Sequence, residues 1–349
     1  MRTLLPESRH GTNDTVWTPN AGGQAGRFEF RLPDETPAEQ FSNWLPYSAY
    51  LADERIFVNR ESLGFMLEIM PQAGADERMA EVLISLYASC PPDTGIQFQL
   101  FGSPHIRSQL RQYDNLRIED EDQAERALAW GRPVPNQNLY RKLSRQRVNH
   151  LLRGTQNSLT SGFHYTLRDF RLMMSVAFPG HGLDMAQREA LLHLRDSMGS
   201  TLRSALLPNR VCDAADLINW CALFTNPDRI AHSDEEDLNY DDDRWLNYDD
   251  GREIRDQIVD FDTIQDPHPA GLTLWKEGLE GSLEARFYSI KSFPERFALW
   301  QMGSLIGDLM QPALQYSAPF LLTMGVHVLD PNVMKSVVTA NHVRATQNA

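Results

Sequence analysis

The chain of 349 residues carries 47 acidic side chains against 33 Lys and Arg, a formal charge of −14. That balance argues against a general DNA-binding protein, whose nonspecific affinity comes from cations displacing counterions. No run approaches the roughly 20 apolar residues of a spanning helix, and Cys90, Cys212 and Cys221 are scattered without metal-ligand spacing, as suits a reducing cytosol.

Residues 1–40 form a polar segment rich in turn formers, with Phe28 and Phe30 placed for a short edge strand. A first folded unit is expected over residues 41–154. It opens with the aromatic, proline-containing stretch Phe41–Tyr47, followed by a strand at Arg55–Asn59. Leu63, Phe65, Leu67 and Ile69 then alternate with Gly64, Met66 and Glu68, the period of a half-buried strand. Met79, Val82, Leu83, Leu86 and Tyr87 line one face of a helix, and Ile96, Phe98 and Leu100 return as a strand. The unit closes on a helix over Asn138–Arg153 with Leu139, Leu143, Leu151 and Leu152 at helical spacing.

Residues 155–162 read as a polar connector to a second unit, 163–331. Phe170, Leu172, Met174, Val176 and Phe178 alternate as a strong strand, and a change of phase at Arg168-Asp169 implies a bulge or a bend. Asp184 and Asp213 stand as caps of two helices. The run 234–262 holds thirteen carboxylates and three arginines, a net of −10, without EF-hand order, and reads as a solvated loop. Strands follow at Leu272–Leu274 and Leu283–Ile290, then a helix from Phe293-Pro294 to Pro312, then a strand at Phe320–Val328. Asn332 is placed to cap a last helix over 332–349. That helix still runs at Ala349, which is read as the start of a helix leading to a following, absent domain. The expected class is α+β: mixed sheets with packed helices, strand–helix–strand units with parallel neighbours, and two subdomains.

No Gly-Lys pair occurs, because Lys142, Lys276, Lys291 and Lys335 follow Arg141, Trp275, Ile290 and Met334. A P-loop needs that lysine beside a glycine-rich nest, so this chain alone is not expected to hydrolyse ATP. The histidines lack His-x-x-x-His spacing, and no Gly-x-Ser-x-Gly elbow is present. No catalytic, cofactor-binding or metal-binding residue is assigned.

Several stretches together carry a resemblance. They are Trp44-Leu45-Pro46-Tyr47, Ser62-Leu63-Gly64-Phe65, Gly74-Ala75-Asp76, Pro91–Gly95, Phe101-Gly102-Ser103-Pro104, Leu167–Arg171 and Ser289–Arg296. The chain resembles the N-terminal region of the TraC-type ATPases of F-type conjugative type IV secretion systems. The resemblance implies a docking and assembly domain of a hexameric cytoplasmic motor, peripheral at the inner membrane, that powers pilus assembly and DNA transfer. Its implied partners are inner-membrane secretion subunits, with no strong nucleic-acid binding by this domain. ATP and Mg would belong to a downstream domain, and no cofactor is expected in this chain.

Two features suit such docking. Arg141, Lys142, Arg145, Arg147 and Arg153 stand on one expected helix with no acid between them. They fit a solvated face, pairing with the acidic run, or contact with anionic lipid, an acidic neighbour or nucleic acid. Trp44 and Tyr47 either pin a loop to the core or anchor a partner. The rival readings are a self-contained enzyme using carboxylates of 234–262 and a soluble acidic adaptor.

Overall fold

A computed structural model describes residues 13–18, 27–31, 41–72, 77–104, 106, 110, 139–162, 166–180, 182, 184–226, 253–258, 263–276, 281–289, 316 and 318–347. Strands β1 (Asn13–Thr18) and β2 (Arg27–Arg31) form an antiparallel pair of their own. The centre of the fold is a seven-stranded sheet in the order β12-β6-β7-β5-β4-β3, with β8 also paired to β5. Its members are β3 (Tyr47–Leu51), β4 (Ile56–Asn59), β5 (Ser62–Ile69), β6 (Gly95–Ser103), β7 (Asp169–Pro179), β8 (Asn209–Val211) and β12 (Phe320–His327). The class is α+β, as the pattern of elements implies.

The pairing departs from the expected parallel neighbours. Helix α1 (Glu77–Ala88) does cross from β5 to β6, but β7 lies between them and pairs antiparallel with both. β5 and β6 therefore run the same way without touching. β7 and β12 follow the expected connector at 155–162, β5 and β6 precede it, and all four share one sheet. The second expected strand–helix–strand unit does not join neighbours either. Its first strand, β11 (Leu283–Ala285), pairs with β10 (Gly271–Lys276) and through it with β9 (Thr263–His268) in a separate sheet, while β12 pairs with β6. The helix expected over 293–312 lies outside the described residues.

β5 is not half-buried but covered on both faces. Leu63, Phe65, Leu67 and Ile69 join Met174, Val176, Ile96 and Ile56 in one core, closed by α1 and by α3 (Met185–Ser204) through Leu191, Leu194, Met198 and Leu202. Met66 faces the other way into a second core with Phe57, Phe101 and Met173, closed by α4 (Ala214–Thr225) through Leu217, Ile218 and Trp220. Apolar Met66 lets a second layer cover the face where the alternation suggested solvent, and Gly64 leaves room for β7, whose Val176 carbonyl oxygen would lie 2.7 Å from a Cβ there. Gly102 in β6 shows the same economy of space. It lies opposite Phe320 on one side and Phe170 on the other, and a Cβ there would sit 2.5 Å from the Phe320 ring.

Both expected caps are present. The Asp184 carboxylate accepts from the amides of Ala186 (2.9 Å) and Gln187 (3.3 Å), and Asp213 forms a reciprocal capping box with Asp216. The third cap is displaced. At the start of α5 (Pro331–Gln347) it is Asp330, not Asn332, that accepts, taking the Asn332 amide at 2.8 Å. Pro331 occupies the first helical position, which needs no N–H donor, so the cap falls one residue before it. The acidic run is also no solvated loop at its far end. Glu253 precedes a 3-10 turn, Ile254–Gln257, and Ile254 and Ile258 are buried in the second core. The rest of the run, 234–252 and 259–262, is outside the described residues.

Candidate docking surface

Helix α2 (Leu139–Arg153) is built from good helix formers and contains no acid. His150 and Arg153 fall in its last turn, where positive charge complements the helix dipole. Its end is fastened tightly. The Thr155 hydroxyl donates to the Leu152 carbonyl (2.9 Å), and the Leu167 amide donates to the Gly154 carbonyl (2.7 Å). A Cβ at Gly154 would meet Leu167 Cδ1 at 2.7 Å, Leu159 Cδ1 at 2.8 Å and the Leu151 carbonyl oxygen at 2.9 Å, so a larger residue would force this joint to shift. Arg168 completes the joint by donating to the Thr155 carbonyl at 2.9 Å. The expected phase change at Arg168-Asp169 is thus where β7 begins, with Arg168 turned back onto the end of α2.

Ser144 and Val148, one turn apart, are the buried side of α2. Lys142, Arg145, Arg147 and Arg153 are exposed, and Leu143, expected on the apolar face, is 51% exposed. Arg141 lies within the helix. Among the described residues no carboxylate pairs with Lys142, Arg145 or Arg153.

The second candidate divides. Trp44 ends a 3-10 turn, Phe41–Trp44, and remains 40% exposed, while Asn43 beside it is buried. Tyr47 begins β3 and packs with Leu45 and Tyr50 against the second core. Its hydroxyl shares a hydrogen bond with the Cys221 thiol. The adjacent Cys221, then burial, holds the Tyr47 phenol well above its ordinary value, and burial pushes Cys221 up to about 12. Both groups are neutral near pH 7 and act as packing. All three cysteines are free thiols.

A polar cluster on the second face of the sheet escaped the sequence reading. Glu68 on β5 accepts from Arg210 on β8 at 2.7 Å and lies 3.5 Å from Arg171 on β7. Arg210 also donates twice to Asp216, at 2.7 and 2.8 Å. The Arg171 guanidinium sits 5.4 Å from the Trp220 ring centre, and the Trp220 indole N–H donates to Gln99 at 2.7 Å. Arg210 meets two carboxylates and Arg171 one, all partly exposed, which makes a clamp between β5, β7, β8 and α4 rather than a reactive centre. Its only sequence signal is weak: Glu68 interrupting an apolar strand. Among the described residues no cluster of metal-ligating side chains occurs, and no helix is long and apolar enough to cross a membrane.

A family model described as TraC protein matches residues 41–349. Protein TraC of Escherichia coli strain K12 is 27% identical over 320 residues, a span that covers 86% of this chain and 33% of that protein. The chain thus spans about a third of the length of the curated relative it matches.

Proposed function

The chain belongs to the TraC family, and from that membership we propose a part in conjugative type IV secretion, as a non-catalytic docking and assembly domain of a hexameric cytoplasmic ATPase. In this reading the domain seats the motor peripherally at the inner-membrane complex, and nucleotide chemistry belongs to other parts of the full-length protein. The observation that carries it is the family match over residues 41–349, in a segment without a Gly-Lys pair. The fold supports it in kind. Two apolar cores and a clamped sheet build the body of the fold, and Lys142, Arg145, Arg147 and Arg153 of α2 are exposed.

The test places Arg141→Glu, Arg145→Glu and Arg147→Glu together in the full-length protein in donor cells. The expected result is an unchanged melting temperature of the isolated domain, reduced conjugative transfer, and poorer co-recovery with the inner-membrane secretion subunits. Normal transfer and normal co-recovery would remove α2 as the docking surface. Robust ATP hydrolysis by the isolated chain, surviving repurification, would overturn the non-catalytic assignment.

A further inference from the structure

We infer that the outward face of α2 is a receptor for a short acidic polypeptide segment, rather than for a lipid surface or a nucleic acid. This deepens the docking proposal and rests on it. Lys142, Arg145, Gln146, Asn149 and Arg153 follow one another at steps of three, one, three and four residues, which places them along one side of the helix. All five are exposed, while Ser144 and Val148 turn inward, so the orientation of the stripe is set by the buried side. From Lys142 to Arg153 it runs about 16 Å, at 1.5 Å per residue.

Three features select the occupant. First, among the described residues Lys142, Arg145 and Arg153 are exposed and no carboxylate pairs with them. Second, the stripe contains no apolar or aromatic residue. Leu143, 51% exposed, is displaced by about 100° from Lys142, and half-buried Leu152 flanks the opposite edge of the stripe. A helix that lies in a bilayer interface buries an apolar face there, and single-stranded nucleic acid is held by aromatic stacking. Gln146 and Asn149 instead supply amide donors and acceptors between the cations, which match carboxylates and peptide carbonyls. Third, a bilayer or a duplex is an extended polyanion, and a protein of net charge −14 brings its own carboxylates into that field. A peptide about as long as the stripe meets the cations alone, since screening confines the attraction to roughly 8–10 Å.

The experiment measures fluorescence anisotropy of a labelled oligoglutamate peptide with the full chain, at low and at high salt. Parallel arms use vesicles of phosphatidylcholine with phosphatidylglycerol, and a short DNA duplex. The expected result is salt-sensitive binding of the peptide, weakened about tenfold or more by Lys142→Glu, Arg145→Glu and Arg153→Glu combined, with no comparable binding to vesicles or duplex. The neutral triple variant with Gln at these positions should give an intermediate loss with an unchanged melting temperature, which separates lost attraction from lost fold. Vesicle or duplex binding equal to that of the peptide, or peptide binding indifferent to both variants, overturns the inference. So does no peptide binding at low salt. Lost transfer in donor cells without peptide binding would leave α2 as a docking surface and remove its acidic partner. Peptide binding with normal transfer would do the reverse.

Discussion

On one face of the seven-stranded sheet, Phe65, Leu67, Met174 and Val176 meet α1 and α3 in a cluster that is apolar throughout. On the other face the same strands present Met66 and Met173 beside Glu68, Gln99 and Arg171, under α4. The first face is held by removal of apolar surface from water, which is nondirectional and nearly indifferent to salt. The second adds charged contacts whose geometry decides which strand and which helix fit. β8 lies on β5 with Arg210 opposite Glu68, and Arg210 then grips Asp216 in the first turn of α4. Both faces supply apolar burial, and the second adds placement of α4 and, through α4, of the three-stranded sheet. That sheet is attached where Gln265 donates to the Thr225 carbonyl (3.3 Å) and Thr263 to Asn226 (3.2 Å).

The contrast is broken most severely on the apolar side. Phe65→Ala should cost about 3–5 kcal/mol, because a fully buried ring leaves a cavity that close-packed neighbours cannot fill. Urea unfolding should show this loss equally at low and high salt. A loss below about 1 kcal/mol would mean that the first core is loosely packed. Glu68→Gln on the opposite face should cost about 1 kcal/mol, since its partners Arg171 and Arg210 are partly in water. That difference should shrink as salt is raised, and a salt-independent loss would recast the clamp as buried.

Acid should separate the faces further. Burial alone would raise the Asp216 carboxyl, but hydrogen bonds from Arg210 and the Asp213 amide, with the charges of Arg210 and Arg171, outweigh it and hold it below the usual aspartate range. A carboxylate depressed in this way stabilises the fold above its unfolded pKa of about 4 and loses that contribution as pH falls through its folded value. Asp216→Asn should therefore lower stability near pH 7 by about 1 kcal/mol or less. It should also flatten the decline below pH 4 relative to the parent, read from melting temperatures across pH. Parallel curves for the two proteins would show that Asp216 does not contribute to the acid response.

The smallest effect has the opposite sign. Leu206, 77% exposed, follows α3 with φ of 61°, a left-handed position that favours glycine. Leu206→Gly should raise stability by about 0.5–1 kcal/mol without touching either face of the sheet. A lower melting temperature would imply that the Leu206 side chain has a contact worth more than the backbone strain.

Local features were legible in the chain before any partner was known. The alternation of β5 and β7, the apolar faces of α1 and α3, and the caps Asp184 and Asp213 each depend on residues within a few positions of one another. The acid-free cationic stretch of α2 was legible for the same reason. Trp44 and Tyr47 were visible as a pair but not as different things: Tyr47 packs beside Cys221, far along the chain, while Trp44 stays exposed.

What the sequence determined by itself was the longer elements, β5, β6, β7, β12 and the five helices α1 to α5, and that the chain carries no Gly-Lys pair. The family resemblance also followed from it, since short stretches in fixed order carry that signal. Only the tertiary structure decided that β7 enters between β5 and β6, that β5 is covered twice, and that Glu68, Arg171, Arg210 and Asp216 meet. Period and capping are set by neighbours along the backbone and leave a mark every few residues. Strand order, the second buried face and the charge clamp join groups more than a hundred residues apart. Their energies exist only after the chain has closed those loops, so the pattern of any one segment does not encode them.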